Sequence, residues 1–150
     1  HSLGGYCVAR YAEENPQKVK GVFPYAAGIA GDLIYKKLYD EEFLKKWKET
    51  GWKISEHKLK RGVITRLPWS YIEETKKHDL RPNAGKLTMP VLLVVGENDT
   101  SCPPETQQVF YDLIPGPKEL HVVKDAPHTF LDPKHLEETK IIFTNWLKKI

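Results

Sequence analysis

Residues 90–96 read Pro-Val-Leu-Leu-Val-Val-Gly, and this run restricts the fold more than any other part of the chain. Its five consecutive apolar β-formers are bounded by Pro and Gly, too short a stretch for a helix and without the alternation of a half-exposed strand. A strand of this kind has to be covered on both faces, as in a parallel sheet packed between helices. Two weaker strands accompany it. One lies at 19–27, where Pro24 weakens the ladder or marks a strand end, and the other at 119–123.

Helical segments alternate with these strands. Residues 2–15 tolerate a helix that Pro16 stops. Pro103-Pro104-Glu105 opens a helix reaching about Leu113, which Pro115-Gly116-Pro117 breaks. Asp132-Pro133 is an N-cap and first-turn pair, followed by Leu136, Phe143, Trp146, Leu147 and Ile150 at helical spacing. Strand–helix alternation predicts a mostly parallel α/β sheet flanked by helices, whose functional groups gather in loops after the strands.

Residues 31–88 have another texture, richer in Lys and Trp and without a long apolar strand. Asp40 is placed to cap a helix running to about Thr50, with Gly51 past its end and Phe43, Leu44 and Trp47 on one face. A short hairpin around Lys58–Gly62 is one reading of the stretch that follows. Ser70-Tyr71-Ile72-Glu73 has the form of a capping box that starts a further helix.

Composition excludes several classes. A 40% hydrophobic, 29% charged chain with a net charge of +3 is that of a globular domain, not a disordered one. The basic stretch 53–61 is interrupted by Ile54, Glu56 and Leu59 and reads as a solvated surface, so no nucleic-acid partner is expected. No apolar run reaches the roughly 20 residues of a membrane span. Cys7 and Cys102 lack metal-site spacing and read as free thiols of a reducing, cytoplasmic compartment. The chain opens on His1-Ser2-Leu3-Gly4-Gly5 without an initiator Met, which predicts a natural protein extending N-terminally by on the order of 100 residues.

The three places singled out by the sheet hold Ser2 at the chain start, Asp99 in Gly96-Glu97-Asn98-Asp99, and His128 in Asp125-Ala126-Pro127-His128-Thr129-Phe130. Ser2-Leu3-Gly4 matches the end of the G-x-S-x-G nucleophile elbow, a strand-to-helix turn that exposes the hydroxyl at a helix N-terminus. The small Gly4 is expected to let strand and helix approach. Singly these are weak signals, since Asp99 also suits a turn and loop histidines are commonly structural. Together, in the chain order serine, acid, histidine, each after its own strand, they make one pattern.

With these motifs the sequence resembles the α/β-hydrolase superfamily, in particular small serine esterases and lipase- or aminopeptidase-like members. The likeness runs through residues 1–5, 19–27, 90–104 and 119–130 and the final helix. It implies that residues 1–150 are the C-terminal part of an α/β-hydrolase domain, with 31–88 inserted as a helical cap. It further implies a Ser2–His128–Asp99 triad, the Leu3 backbone N–H as one oxyanion donor, and ester cleavage of a small acyl substrate without metal or organic cofactor. Trp47, Trp52, Trp69 and Tyr71 of the cap become candidates for an acyl pocket, although large aromatics more commonly pack a core. The chain departs from many members in having Ala126-Pro127 where glycines precede the histidine. The strands before the elbow and the loop giving the second oxyanion donor are also missing. Expressed alone, the chain is therefore expected to be nearly inactive, and the 19–27 strand to present an open apolar edge.

Alternatives stay open. The same triad serves peptidases, thioesterases and perhydrolases, while a non-catalytic hydrolase-like binding protein needs none of the three groups. Glu97 is a rival acid. His121 is expected to be structural, His135 to face solvent, and Cys7 to be packed within the first helix.

Overall fold

A computed structural model of the chain describes residues 1–56 and 61–150. It divides into two compact units, one made of residues 1–30 and 79–150 and the other of residues 31–78.

The first unit is built around β3 (Val91–Gly96), every residue of which is buried. β4 (Lys118–Val123) lies parallel on one side, with Val91 opposite Lys118 and Gly96 opposite Val123. On its other side runs the 19–27 segment, which touches β3 through two parallel bridges, Val22 to Val91 and Tyr25 to Val94. The expected continuous strand is thus reduced to two contacts. Pro24 between them has no N–H to give a ladder, and Ala26, whose N–H still donates to Val94 O at 2.8 Å, breaks the extended backbone with φ 43°.

Side chains of β3 alternate between two cores. Val91 and Leu93 join Tyr6, Ala9 and Ala12 of α1 (Leu3–Glu14) and Phe110 of α5 (Pro104–Leu113). Leu92 and Val94 join Val123, Ala126, Phe130 and Trp146, the last from α6 (Pro133–Leu147). The two-faced burial expected of residues 90–96 is what the strand has.

α6 starts where the sequence places it, with Asp132 Oδ1 accepting from Lys134 N at 2.8 Å, and Phe143 and Trp146 pack on the core as expected, but the rest of its inner face differs. His135, Thr139 and Trp146 are buried, whereas Leu136, Leu147 and Ile150 are about half exposed. His135 is therefore not a solvent-facing residue: it shares a buried helical stripe with Thr139, four residues on, whose Oγ1 lies 3.3 Å from the Tyr25 hydroxyl. Cys7 also departs from expectation, lying exposed on α1, while Cys102 is buried.

The second unit contains α2 (Gly31–Leu38), α3 (Glu41–Thr50), an antiparallel ribbon of β1 (Trp52–Glu56) and β2 (Ile64–Pro68), and α4 (Ser70–Thr75). It is thus mixed, not purely helical. Asp40 caps α3 by accepting from Phe43 N at 2.7 Å, and Gly51 ends it in the left-handed region at φ 75°. The turn expected near Lys58–Gly62 falls partly on residues 57–60, outside the described residues. α4 is not started by a capping box: Trp69 is the N-cap, and Ser70 is already helical. The division between units falls at Asp79, short of residue 88, because Leu80, Ala84 and Leu87 are buried in the core with α1.

Candidate active site

Four non-glycine residues among those described have positive φ: Ser2 at 54°, Ala26 at 43°, Asp125 at 58° and Phe130 at 47°. L-residues avoid this region, at a cost of about 1–3 kcal/mol each, and hold it only where surrounding structure dictates. All four lie in the loops that carry, or directly support, Ser2 and His128. Backbone strain in the described chain is concentrated where the sequence places its chemistry.

Ser2 is held by its own peptide groups. Its N–H donates to Tyr25 O at 3.0 Å, and its carbonyl accepts from Tyr6 N at 3.1 Å and from Gly28 N at 3.4 Å. α1 leaves directly from this turn and packs closely on the Tyr25–Ala27 backbone. The residue that permits the approach is Gly5, not Gly4. A Cβ at Gly5 would lie 2.9 Å from Ala27 Cβ and 3.1 Å from Tyr25 O, whereas one at Gly4 would meet nothing. The Leu3 N–H belongs to the first helical turn, whose donors have no intrahelical acceptor. An anion next to Ser2 would meet that donor and the positive end of the helix dipole.

Asp99 is almost fully buried, yet its carboxylate is well solvated by the chain. Oδ1 accepts from the backbone N–H groups of Ser101 at 2.9 Å and Cys102 at 2.8 Å. Oδ2 faces His128 Nδ1 at 2.7 Å. The other ring nitrogen of His128, Nε2, lies 3.0 Å from Ser2 Oγ. Serine, histidine and aspartate, separated by as many as 126 residues in sequence, thus form one hydrogen-bonded line. With Nδ1–H donating to the aspartate, Nε2 keeps its lone pair for the serine hydroxyl.

The loops bearing Asp99 and His128 are tied to each other. Glu97, the rival acid, accepts from Asp125 N at 3.0 Å through Oε2, and Asn98 N donates to Ala126 O at 3.0 Å. Glu97 therefore holds the histidine loop rather than the imidazole. His121 points elsewhere and pairs through Nε2 with Glu119 Oε2 at 3.0 Å. Cys102, adjacent to the acid, is an inert neighbour: burial, with Asp99 adding to it, pushes its thiol up to about 12.

Two supporting residues escaped sequence reasoning. Gln107 is completely buried in α5 and donates from Nε2 to Ala27 O at 2.7 Å, pinning the turn behind Ser2. His1 Nε2 lies 2.7 Å from His128 O, with the two rings 4.7 Å apart. For Gln107 the available signal was a polar residue on the inner stripe of an amphipathic helix. For His1 it was adjacency to the serine alone.

The four aromatic pocket candidates all lie in the unit of residues 31–78. Trp47 is buried there, its indole N–H donating to Leu67 O at 3.1 Å and its ring edge-on to Trp69 at 5.9 Å. Trp52 and Tyr71 keep about half their surface exposed. Among the described residues no group of three or more His, Cys, Asp or Glu is placed to hold a metal ion, and no helix is long and apolar enough to cross a membrane.

Comparison with known proteins agrees with this architecture. The mouse alpha/beta hydrolase domain-containing protein 10 superposes on 99% of the chain with a TM-score of 0.79 at 22% identity, and the chain covers 60% of that protein. A monoacylglycerol lipase from Paleococcus ferrophilus superposes on 98% with a TM-score of 0.70 at 23% identity, 65% of its length being covered. Est1E from Butyrivibrio proteoclasticus gives 0.66 at 21% identity over 99% of the chain and 60% of Est1E. At these identities the likeness is one of fold. An uncharacterised 31.7 kDa Escherichia coli protein is 31% identical over 86 residues, 56% of this chain, and the chain spans only 30% of that relative. Residues 52–134, more than half of the sequence, match the family model described as serine aminopeptidase S33, and the chain therefore belongs to that family of α/β hydrolases.

Proposed function

We propose that this hydrolase cleaves carboxylic esters by a Ser2–His128–Asp99 triad and an acyl-enzyme intermediate. The observation that carries the reading is the line of contacts at 3.0 Å and 2.7 Å from hydroxyl to imidazole to buried carboxylate. A neutral serine is a weak nucleophile, and an imidazole acceptor on its hydroxyl supplies the missing base. In the first half-reaction His128 Nε2 takes the Ser2 proton as Oγ attacks the acyl carbonyl. Asp99 keeps the imidazole in the productive tautomer and stabilises it once charged. The Leu3 N–H donates to the developing oxyanion, and His128 returns the proton to the departing alcohol. Water then repeats the sequence on the acyl-enzyme.

A second reading, cleavage of an aminoacyl peptide bond by the same residues, is favoured by the description of the family itself. The ester reading is supported by the monoacylglycerol lipase among the proteins of similar fold. We further propose that residues 31–78 are an inserted unit whose Trp52, Trp69 and Tyr71 contribute to acyl recognition. A panel of p-nitrophenyl esters of graded chain length, assayed on the full-length protein beside aminoacyl p-nitroanilides, separates the two readings. Asp99→Asn should lower kcat by about 10⁴-fold on whichever class is turned over. Hydrolysis of anilides alone would remove the ester reading. An Asp99→Asn protein with unchanged kcat would remove the triad.

A further inference from the structure

His128 sits in a loop bounded by two residues in the left-handed region, Asp125 and Phe130. A loop held in such a conformation keeps its shape through its tethers. Its first half is tied to the acid loop: Glu97 Oε2 accepts from Asp125 N at 3.0 Å, Asn98 Nδ2 donates to Asp125 O at 3.3 Å, and Asn98 N donates to Ala126 O at 3.0 Å. Phe130 closes the far end by burying its ring 4.6 Å from that of Tyr25. The peptide carbonyl of His128 itself is held from the opposite side, by the residue preceding the serine. His1 Nε2 is 2.7 Å from His128 O, and because a carbonyl only accepts, that nitrogen carries the hydrogen.

His1 is itself well placed for this task. Its ring packs against Tyr25 at 5.4 Å and against His128 at 4.7 Å. Tyr25 is anchored twice: its carbonyl accepts from Ser2 N at 3.0 Å, and its hydroxyl lies 3.3 Å from Thr139 Oγ1 of α6. His1, Ser2, Tyr25 and His128 therefore form a closed circuit in which the backbone next to the nucleophile also fixes the backbone of the base.

We infer that His1 is a positioning residue, which sets the distance between His128 Nε2 and Ser2 Oγ by donating a hydrogen bond to the His128 carbonyl; this rests on the triad reading above. His1 makes no proton transfer. Its contribution is geometric, and small errors in placing a base are expensive: a misplacement of about 1 Å can cost roughly 10²-fold in rate.

The test uses the full-length protein with Ser2→Ala, His1→Ala and His1→Gln. Gln places an amide N–H close to where the imidazole Nε2–H lies, and so keeps the tether without the ring. The expected result for His1→Ala is a fall in kcat of about 10- to 100-fold with KM within about twofold and an unchanged melting temperature. His1→Gln should recover kcat to within about fivefold of the wild type, because the carbonyl regains its donor. Wild-type kcat in His1→Ala would overturn the inference, as would equal losses in both variants, which would assign the effect to ring packing. Full activity in Ser2→Ala would instead overturn the triad reading, so the two failures are distinct.

Discussion

Substituting Gly96 by alanine should separate the two loops that carry Asp99 and His128. Gly96 ends β3, three residues before Asp99, and its α-carbon faces the histidine loop. A Cβ there would lie 2.2 Å from Ala126 O, 2.8 Å from Ala126 C and 3.0 Å from Pro127 O. All three are backbone atoms, so no flexible side chain can swing aside. Restoring ordinary contact requires the loops to part by roughly 1 Å, since interiors are too closely packed to absorb the overlap elsewhere. Asp99 Oδ2 and His128 Nδ1 now stand 2.7 Å apart, and His128 Nε2 is 3.0 Å from Ser2 Oγ. An added ångström takes the first of these, the contact that spans the two loops, beyond useful hydrogen-bond distance. The expected loss is about 10²-fold in kcat/KM, equivalent to about 2.7 kcal/mol on the barrier. Overpacking should also destabilise the fold by about 1–3 kcal/mol. Kinetics should therefore be normalised to folded protein, with thermal unfolding followed in parallel. A Gly96→Ala protein that is folded and retains kcat/KM within about twofold of the wild type would refute the reasoning.

The buried Glu13 makes stability depend on pH. Its carboxylate is nearly inaccessible and has Arg10 Nη1 2.9 Å from Oε2, yet burial outweighs that attraction and raises it from the ordinary 4.5 to about 7. The folded state then holds a proton that the unfolded chain has already released, so stability declines as pH rises from about 4.5 to about 7 and levels off above. Across that window the wild type should lose about 3 kcal/mol relative to Glu13→Gln, measured by denaturant unfolding at several pH values. Parallel profiles for the two proteins would contradict this. The two thiols should differ in reactivity, with Cys7 exposed and Cys102 buried and pushed up to about 12. A disulfide reagent at pH 8 should modify one thiol quickly in the native protein and both in denaturant, and equal native rates would count against the placement of Cys102.

The sequence was most readable where one physical effect dominates. Residues 91–95 must be buried on both faces whatever surrounds them, and Asp40, Gly51 and Asp132 act through local backbone geometry. The three candidate residues stood out through their order and their places after strands, and the structure brings Ser2, His128 and Asp99 to one another. What could not be read depends on tertiary packing. Scanning α6 for apolar spacing selects Leu136 and Leu147 beside Trp146, but the residues buried are His135, Thr139 and Trp146. A carboxylate such as Glu13 reads as surface until its helix is packed. Gly4 and Gly5 are equivalent in sequence, and only the position of Ala27 shows which one a Cβ would obstruct. The His1 contact joins residues 127 apart and has no local signature.

Reaction of the full-length protein with a fluorophosphonate, read by intact mass and peptide mapping, tests most directly whether the hydroxyl of residue 2 is the nucleophile. The expected result is a single adduct on the peptide containing Ser2, absent from Ser2→Ala and formed far more slowly in His128→Ala. An adduct that survives in Ser2→Ala, or that maps to another residue, would contradict it.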